Sequence, residues 1–125
     1  MIRTIFYIDD EVGCLNLFQE VFGSEYDVRT ATTLSEARLL LAEEPADVVI
    51  SDQLMPDVDG TEFLREVSEN YPESRRVLLT GGVTVGHVFG EVSAGVVQFF
   101  VPKPWTEVEM RETLERADAA QGLVK

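Results

Sequence analysis

The residues of this chain most able to do chemistry are Asp9, Asp10, Asp52, Thr80 and Lys103, each at or just beyond the end of a short apolar run. Taken singly they are ordinary. Acids favour the first turn of a helix, a threonine can end a strand, and a lysine suits any surface. Gathered in one place they form an unbalanced cluster, since two carboxylates about 4 Å apart repel by roughly 4 kcal/mol at a surface-like effective dielectric. Lys103 offsets part of that repulsion. A hard divalent cation would offset more, and all-oxygen ligation favours Mg²⁺, which keeps waters and bridges readily to phosphoryl oxygens. Asp52 then has the character of a nucleophile toward phosphorus, with Mg²⁺ and Lys103 set against developing charge and the Thr80 hydroxyl able to hydrogen-bond the product.

Whether these residues gather depends on the elements that carry them. Thr4, Ile5, Phe6, Tyr7 and Ile8 read as a buried strand ahead of Asp9-Asp10-Glu11. Val12, Leu15, Phe18, Val21 and Phe22 recur at helical spacing and Gly23 stops them. Residues 26–31 form a second strand with interleaved polar residues, as at an edge. Thr33-Leu34-Ser35-Glu36 is a capping box opening the next helix, with Pro45 beyond its end. Residues 47–51 are a third strand that delivers Asp52. A loop with Pro56 and Asp59-Gly60 follows, and then a helix carrying Phe63, Leu64 and Val67 that stops before Pro72. Residues 77–80 are a fourth strand and 96–101 a fifth, and Thr106 with Glu109 caps a last helix over 106–120. Between them, 83–94 should be a helix, but Gly82, Gly86 and Gly90 with several β-branched residues predict a short, distorted and mobile one.

Alternating strands and helices imply an α/β fold, a parallel sheet with helices on both faces. The chain is too short for an eightfold barrel, so five strands point to a doubly wound, flavodoxin-like sheet of order 2-1-3-4-5. Ligands in such sheets sit beyond the carboxyl ends of the strands, at the switch point between strands 1 and 3. The five polar residues fall there.

Composition narrows the class. The length of 125 residues suits one domain, 1–125. A net charge of −13 argues against direct nucleic-acid binding and against docking on anionic membrane. Residues 81–101 are apolar enough to test as a membrane span, but Glu91, His87, Gln98 and several glycines reject it. The single cysteine, Cys14, excludes an internal disulfide and a cysteine-rich zinc site, and fits a reducing, cytoplasmic setting. Its place on the apolar side of the first helix predicts a core thiol. His87, the only histidine, reads as a surface residue.

In order and spacing, Asp9-Asp10, Asp52, Thr80 and Lys103-Pro104 resemble the CheY-like receiver domains of two-component response regulators, over essentially the whole chain. The resemblance implies that Asp52 accepts a phosphoryl group from a histidine kinase or phosphotransfer protein. It implies Mg²⁺ bound by the side chains of Asp10 and Asp52, by the Leu54 carbonyl and, through water, by Asp9. Thr80 becomes the switch hydroxyl and Lys103 the phosphate contact. Gly81 leaves a gap for the phosphodonor, and Phe100 holds the switch-aromatic position. A signalling surface toward an output domain or effector follows, with no separate substrate turnover; a homodimer is compatible with the fold. The stretch Phe99-Phe100-Val101-Pro102-Lys103-Pro104-Trp105 looks most like receivers found ahead of HD-GYP-type outputs.

Two departures stand out. Phe100 lacks the hydroxyl of the tyrosine often found there. Pro102 within strand 5 requires an edge strand with its missing N–H facing away from the neighbour. The Lys103-Pro104 bond is expected to be cis, so that the turn swings the lysine back over the strand ends. Two rival readings remain. Asp57-Val58-Asp59-Gly60-Thr61 matches the Asp-x-Asp-Gly-Thr motif of haloacid-dehalogenase-type phosphatases, although that motif should follow directly on a strand. The other rival is an adaptor module of the same fold that is never phosphorylated.

Overall fold

The computed structural model describes residues 1–56, 58–81 and 95–123. Five parallel strands are β1 (Thr4–Ile8), β2 (Asp27–Ala31), β3 (Val48–Asp52), β4 (Arg75–Thr80) and β5 (Phe99–Pro102), in the order β2-β1-β3-β4-β5. The helices among the described residues are α1 (Val12–Phe22), α2 (Leu34–Glu43), α3 (Gly60–Asn70) and α4 (Glu107–Leu123). The expected helix over 83–94, with its glycines and His87, lies outside the described residues, as does Asp57.

The period of two along each strand builds two cores. Ile5, Tyr7, Val48, Ile50, Val77, Leu79 and Val101 face α1 and α4, meeting Leu15, Phe18, Phe22, Met110, Leu114 and Ala117. Phe6, Ile8, Val49 and Leu78 face the other way, onto Ala37 and Leu41 of α2 and Phe63, Leu64 and Val67 of α3. The strands with residues buried on both faces are therefore near-continuous apolar runs, as parallel sheets require.

The local signals held at most helix ends. The Thr33 side chain accepts from the Glu36 N–H at 3.2 Å, while the Glu36 carboxylate accepts from the Thr32 N–H, one residue outside the expected box. Thr106 caps α4 through the Glu109 N–H. The strands shift. β4 begins at Arg75, two residues early, because its buried pairing with β3 extends down to Val48. β5 begins at Phe99 rather than residue 96, because the Val96 carbonyl is taken by the Arg76 guanidinium at 2.7 Å. Gly60, expected in a loop, is the first residue of α3. Val12, counted with the apolar side of α1, is exposed. Pro102 does lie in edge strand β5, and the next residue, Lys103, donates its N–H to Thr80 O, so the Pro102 nitrogen faces away from β4.

Candidate functional site

Three parallel strands end at one edge of the sheet and release their polar residues together. Asp9 follows β1, Asp52 closes β3, and Lys103 follows β5. The Lys103 ammonium bridges them, 3.1 Å from Asp9 Oδ2 and 3.1 Å from Asp52 Oδ2. The Lys103-Pro104 peptide is cis, as expected. A pocket of about 570 Å³ opens over this edge, lined among others by Asp10, Asp52, Leu54, Gly81 and Lys103.

Each acid is placed differently. Asp9 is fully buried; the Tyr7 hydroxyl donates to its Oδ2 at 2.7 Å and the Glu11 N–H to its Oδ1 at 2.9 Å. Asp10 is exposed at the pocket rim. Asp52 is 5% exposed. Burial raises its pKa above the ordinary carboxylate value and the Asp9 charge adds to that, while hydrogen bonds from Lys103 and the Leu54 N–H pull against it. Burial alone would lower the Lys103 ammonium, but its hydrogen bonds to Glu11, Asp9 and Asp52 outweigh that and hold it above the usual lysine range.

The floor beneath Asp52 is set by the start of α3. The Gly60 N–H donates to Gln53 O at 2.9 Å, and the Gln53 side chain accepts from the Thr61 N–H at 3.1 Å. A Cβ on Gly60 would stand 2.3 Å from Asp52 O, so only glycine allows this approach. Among the described residues, a Cβ on Gly81 would come near only Lys103 Cβ, at 3.9 Å, an ordinary contact.

Of the residues picked from sequence, Asp9, Asp52 and Lys103 are in contact, and Asp10, Leu54 and Gly81 line the same pocket. Thr80 ends β4 and joins the site through its carbonyl, which accepts from the Lys103 N–H at 2.8 Å. Phe100 is opposite Leu78 in the β4–β5 register and 38% exposed. Cys14, expected in the core, is half-buried and lines the pocket; burial and then the Asp9 charge push its thiol pKa up. Three participants escaped the sequence reading. Glu11 pairs with Lys103 at 3.0 Å, Tyr7 holds Asp9, and Gln53 caps α3. Tyr7 had a readable signal, since a strand places it on the same face as Asp9 two residues on.

The donor set fits a hard cation. Carboxylate oxygens of Asp9, Asp10, Glu11 and Asp52 all lie within 4.8 Å of one another, faced by one lysine. The phosphatase motif lacks its context: β3 ends at Asp52, and Asp59 sits at the N-cap of α3.

An acid-lined pocket at the carboxyl edge of a doubly wound parallel sheet, with one lysine bridging two buried aspartates, occupies the ligand-site position of this fold class. Known proteins narrow it further. The family model of the response regulator receiver domain matches residues 5–115. The hydrogenase transcriptional regulatory protein HoxA of Cupriavidus necator is 32% identical over 120 residues, covering 96% of this chain and 25% of that protein. The response regulator protein PilR of Pseudomonas aeruginosa is 28% identical over 88% of the chain and 25% of its own length. Among solved structures, a signal receiver domain of an HD domain-containing protein from Pseudomonas fluorescens Pf-5 is 27% identical with a TM-score of 0.88, covering 97% of this chain and 90% of that one. A response regulator receiver domain protein from Clostridium thermocellum is 25% identical with a TM-score of 0.90, covering 99% and 100%. This chain belongs to the response regulator receiver domain family. It spans about a quarter of the length of these curated relatives.

Proposed function

We propose that this chain accepts a phosphoryl group on Asp52 from a histidine kinase or phosphotransfer protein, with Mg²⁺, and that the acyl phosphate switches a signalling surface. The observation that carries this reading is the Lys103 ammonium 3.1 Å from Asp52 Oδ2, at the mouth of an open pocket. An Asp52 oxygen attacks phosphorus, the phosphorus–nitrogen bond to the donor imidazole breaks, and the imidazole leaves with the bonding pair. Lys103 stays charged throughout and donates to the transferred group. Bound Mg²⁺ would be held by Asp10, Asp52 and the Leu54 carbonyl, with Asp9 behind them, and would neutralise charge on the phosphoryl oxygens. Asp9 suits an indirect role, because both of its oxygens already accept hydrogen bonds inside the protein. The chain is thus a substrate and switch, not a turnover enzyme. Acetyl phosphate with Mg²⁺ should label the wild type; Asp52→Asn or a chelator should abolish the label, and equal labelling of the variant would refute the assignment.

The switch would run through Thr80 and Phe100. Leu78 faces the α2/α3 core, so Thr80, two residues on, shares its face, and so does Phe100 across the β4–β5 pair. Hydrogen bonding of Thr80 to the phosphoryl group vacates space that the half-exposed Phe100 ring can fill. Beryllofluoride should bury Phe100; one exposure in both states would move the switch elsewhere. The output partner is a further domain or effector, as in the transcriptional regulators to which the chain is similar. A cytoplasmic location and a homodimer accord with this role; among the described residues no helix is long and apolar enough to cross a membrane.

A further inference from the structure

A lysine ammonium has three N–H donors. Three carboxylate oxygens stand within hydrogen-bonding distance of Lys103 Nζ: Asp9 Oδ2 at 3.1 Å, Asp52 Oδ2 at 3.1 Å and Glu11 Oε1 at 3.0 Å. Glu11 and Asp52 accept hydrogen bonds from it and Asp9 completes the set as an ion pair, so a phosphoryl oxygen arriving at Nζ competes with acceptors already in place. Asp9 cannot leave easily. It is fully buried, with Tyr7 and the Glu11 N–H fixing both oxygens. Asp52 carries the incoming group. Glu11 remains, its side chain 64% exposed and long enough to swing into solvent while its N–H stays on Asp9.

The identity of Glu11 is not explained by the helix it precedes. It occupies the N-cap of α1 in extended conformation, φ −94° and ψ 103°, where serine, threonine, aspartate or asparagine would accept from the first turn. Its side chain makes no cap hydrogen bond. The carboxylate is turned to Lys103 instead.

We propose that Glu11 is a positioning residue that holds Lys103 in the unphosphorylated chain and must release it as the phosphoryl group arrives, so that it slows phosphorylation of Asp52. This rests on the reading of Asp52 as phosphoacceptor. The exchange swaps one carboxylate oxygen for one phosphoryl oxygen on the same ammonium. No bond changes other than those of the transfer itself.

Glu11→Gln and Glu11→Asp separate grip from mere charge. Glutamine removes the charge. Aspartate keeps it but is one methylene shorter, and at an N-cap it is drawn to the backbone of α1. Initial phosphorylation rates with acetyl phosphate at saturating Mg²⁺ should rise two- to fivefold in both variants, the size of a largely exposed ion pair. Added salt should narrow the gap between Glu11→Gln and wild type. Without phosphodonor, an amine-directed reagent should modify Lys103 faster in both variants. Mg²⁺ affinity, read from the fluorescence of Trp105 beside the pocket, should fall less than tenfold, because Glu11 stands among the acids near the cation without being one of its proposed ligands. Acceleration in Glu11→Gln alone would mean that only charge matters, and a tenfold loss of Mg²⁺ affinity would make Glu11 a metal ligand; either overturns the proposal. Unchanged variants beside a labelled wild type would overturn this proposal alone, whereas a wild type that takes no label would overturn it together with the phosphoacceptor reading.

Discussion

The two ends of the sheet both bury charge, and they do it in opposite ways. At the amino-terminal end, Arg76 is 6% exposed and donates to the carbonyls of Val96 at 2.7 Å, Ser74 at 2.7 Å and Gly95 at 3.0 Å. Asp47 accepts from the Arg3 N–H at 2.7 Å and the Thr4 N–H at 3.1 Å. These charges are set against backbone groups that would otherwise lack partners, and they tie loops to strands. At the carboxyl-terminal end, Asp9, Asp52 and Lys103 are set against one another beneath an open pocket. Charge bonded to backbone is structural. The Lys103 ammonium, paired with carboxylate side chains and with a route to solvent, can be rearranged by an incoming ion or phosphoryl group.

Three substitutions would break or sharpen this contrast. The largest effect is expected at the amino-terminal end. Arg76→Ala leaves several buried carbonyls without a donor and should cost about 3 kcal/mol of stability, read by denaturant unfolding. Because Arg76 lies away from the pocket, the folded variant should still be labelled at a wild-type initial rate. A slowed rate with intact stability would show that the two ends are not separate in kind.

Gly60→Ala tests the floor of the carboxyl-terminal end. The added methyl group would meet Asp52 O at 2.3 Å and Leu78 Cδ1 at 2.9 Å. Relief of that clash must move the start of α3 or the Asp52 backbone, at a cost of about 1–3 kcal/mol. Here stability and labelling rate should fall together. A variant with wild-type values in both would mean that the approach of α3 to β3 is not tight.

The smallest effect is the subtlest. Asp52 is held above its ordinary pKa by burial and by Asp9. A carboxyl whose folded pKa is raised opposes folding when ionised, and that penalty develops as pH rises from the ordinary carboxylate range through the folded value. Asp52→Asn, though unable to take a phosphoryl group, should therefore unfold at a slightly higher temperature than wild type at pH 7 in chelator. The advantage should vanish at pH values below the ordinary carboxylate range, where the wild-type group is protonated in both states. Added Mg²⁺ should reverse it by stabilising only the wild type. A variant less stable than wild type at pH 7 in chelator would show that Lys103 outweighs burial and Asp9.

Much of this was readable because it is local. Thr33 and Thr106 announce helix starts through hydroxyls that reach an N–H three residues on. The run Val48-Val49-Ile50 has no polar face, so it must be a central strand, and Asp52 then has nowhere to emerge but its carboxyl end. Asp9 and Lys103 follow by the same reasoning from β1 and β5. Strand order follows the flavodoxin-like pattern for five alternating strands and helices. Those properties belong to the chain as written.

What the sequence could not decide is what happens where distant segments meet. Nothing in the sequence marks Arg75 and Arg76 for burial, yet both are buried, and the carbonyls of Val96 and Gly95 converge on Arg76 only once β5 is docked. That convergence delays β5 to Phe99. Gly60 reads as a turn residue until β3 and Leu78 are packed beneath it. Glu11 reads as one acid among many until Lys103, 92 positions later, comes within 3.0 Å. A sequence sets which groups each strand end presents. Only packing sets which of those groups are deprived of water, and a charge deprived of water must take whatever partner the fold has placed beside it.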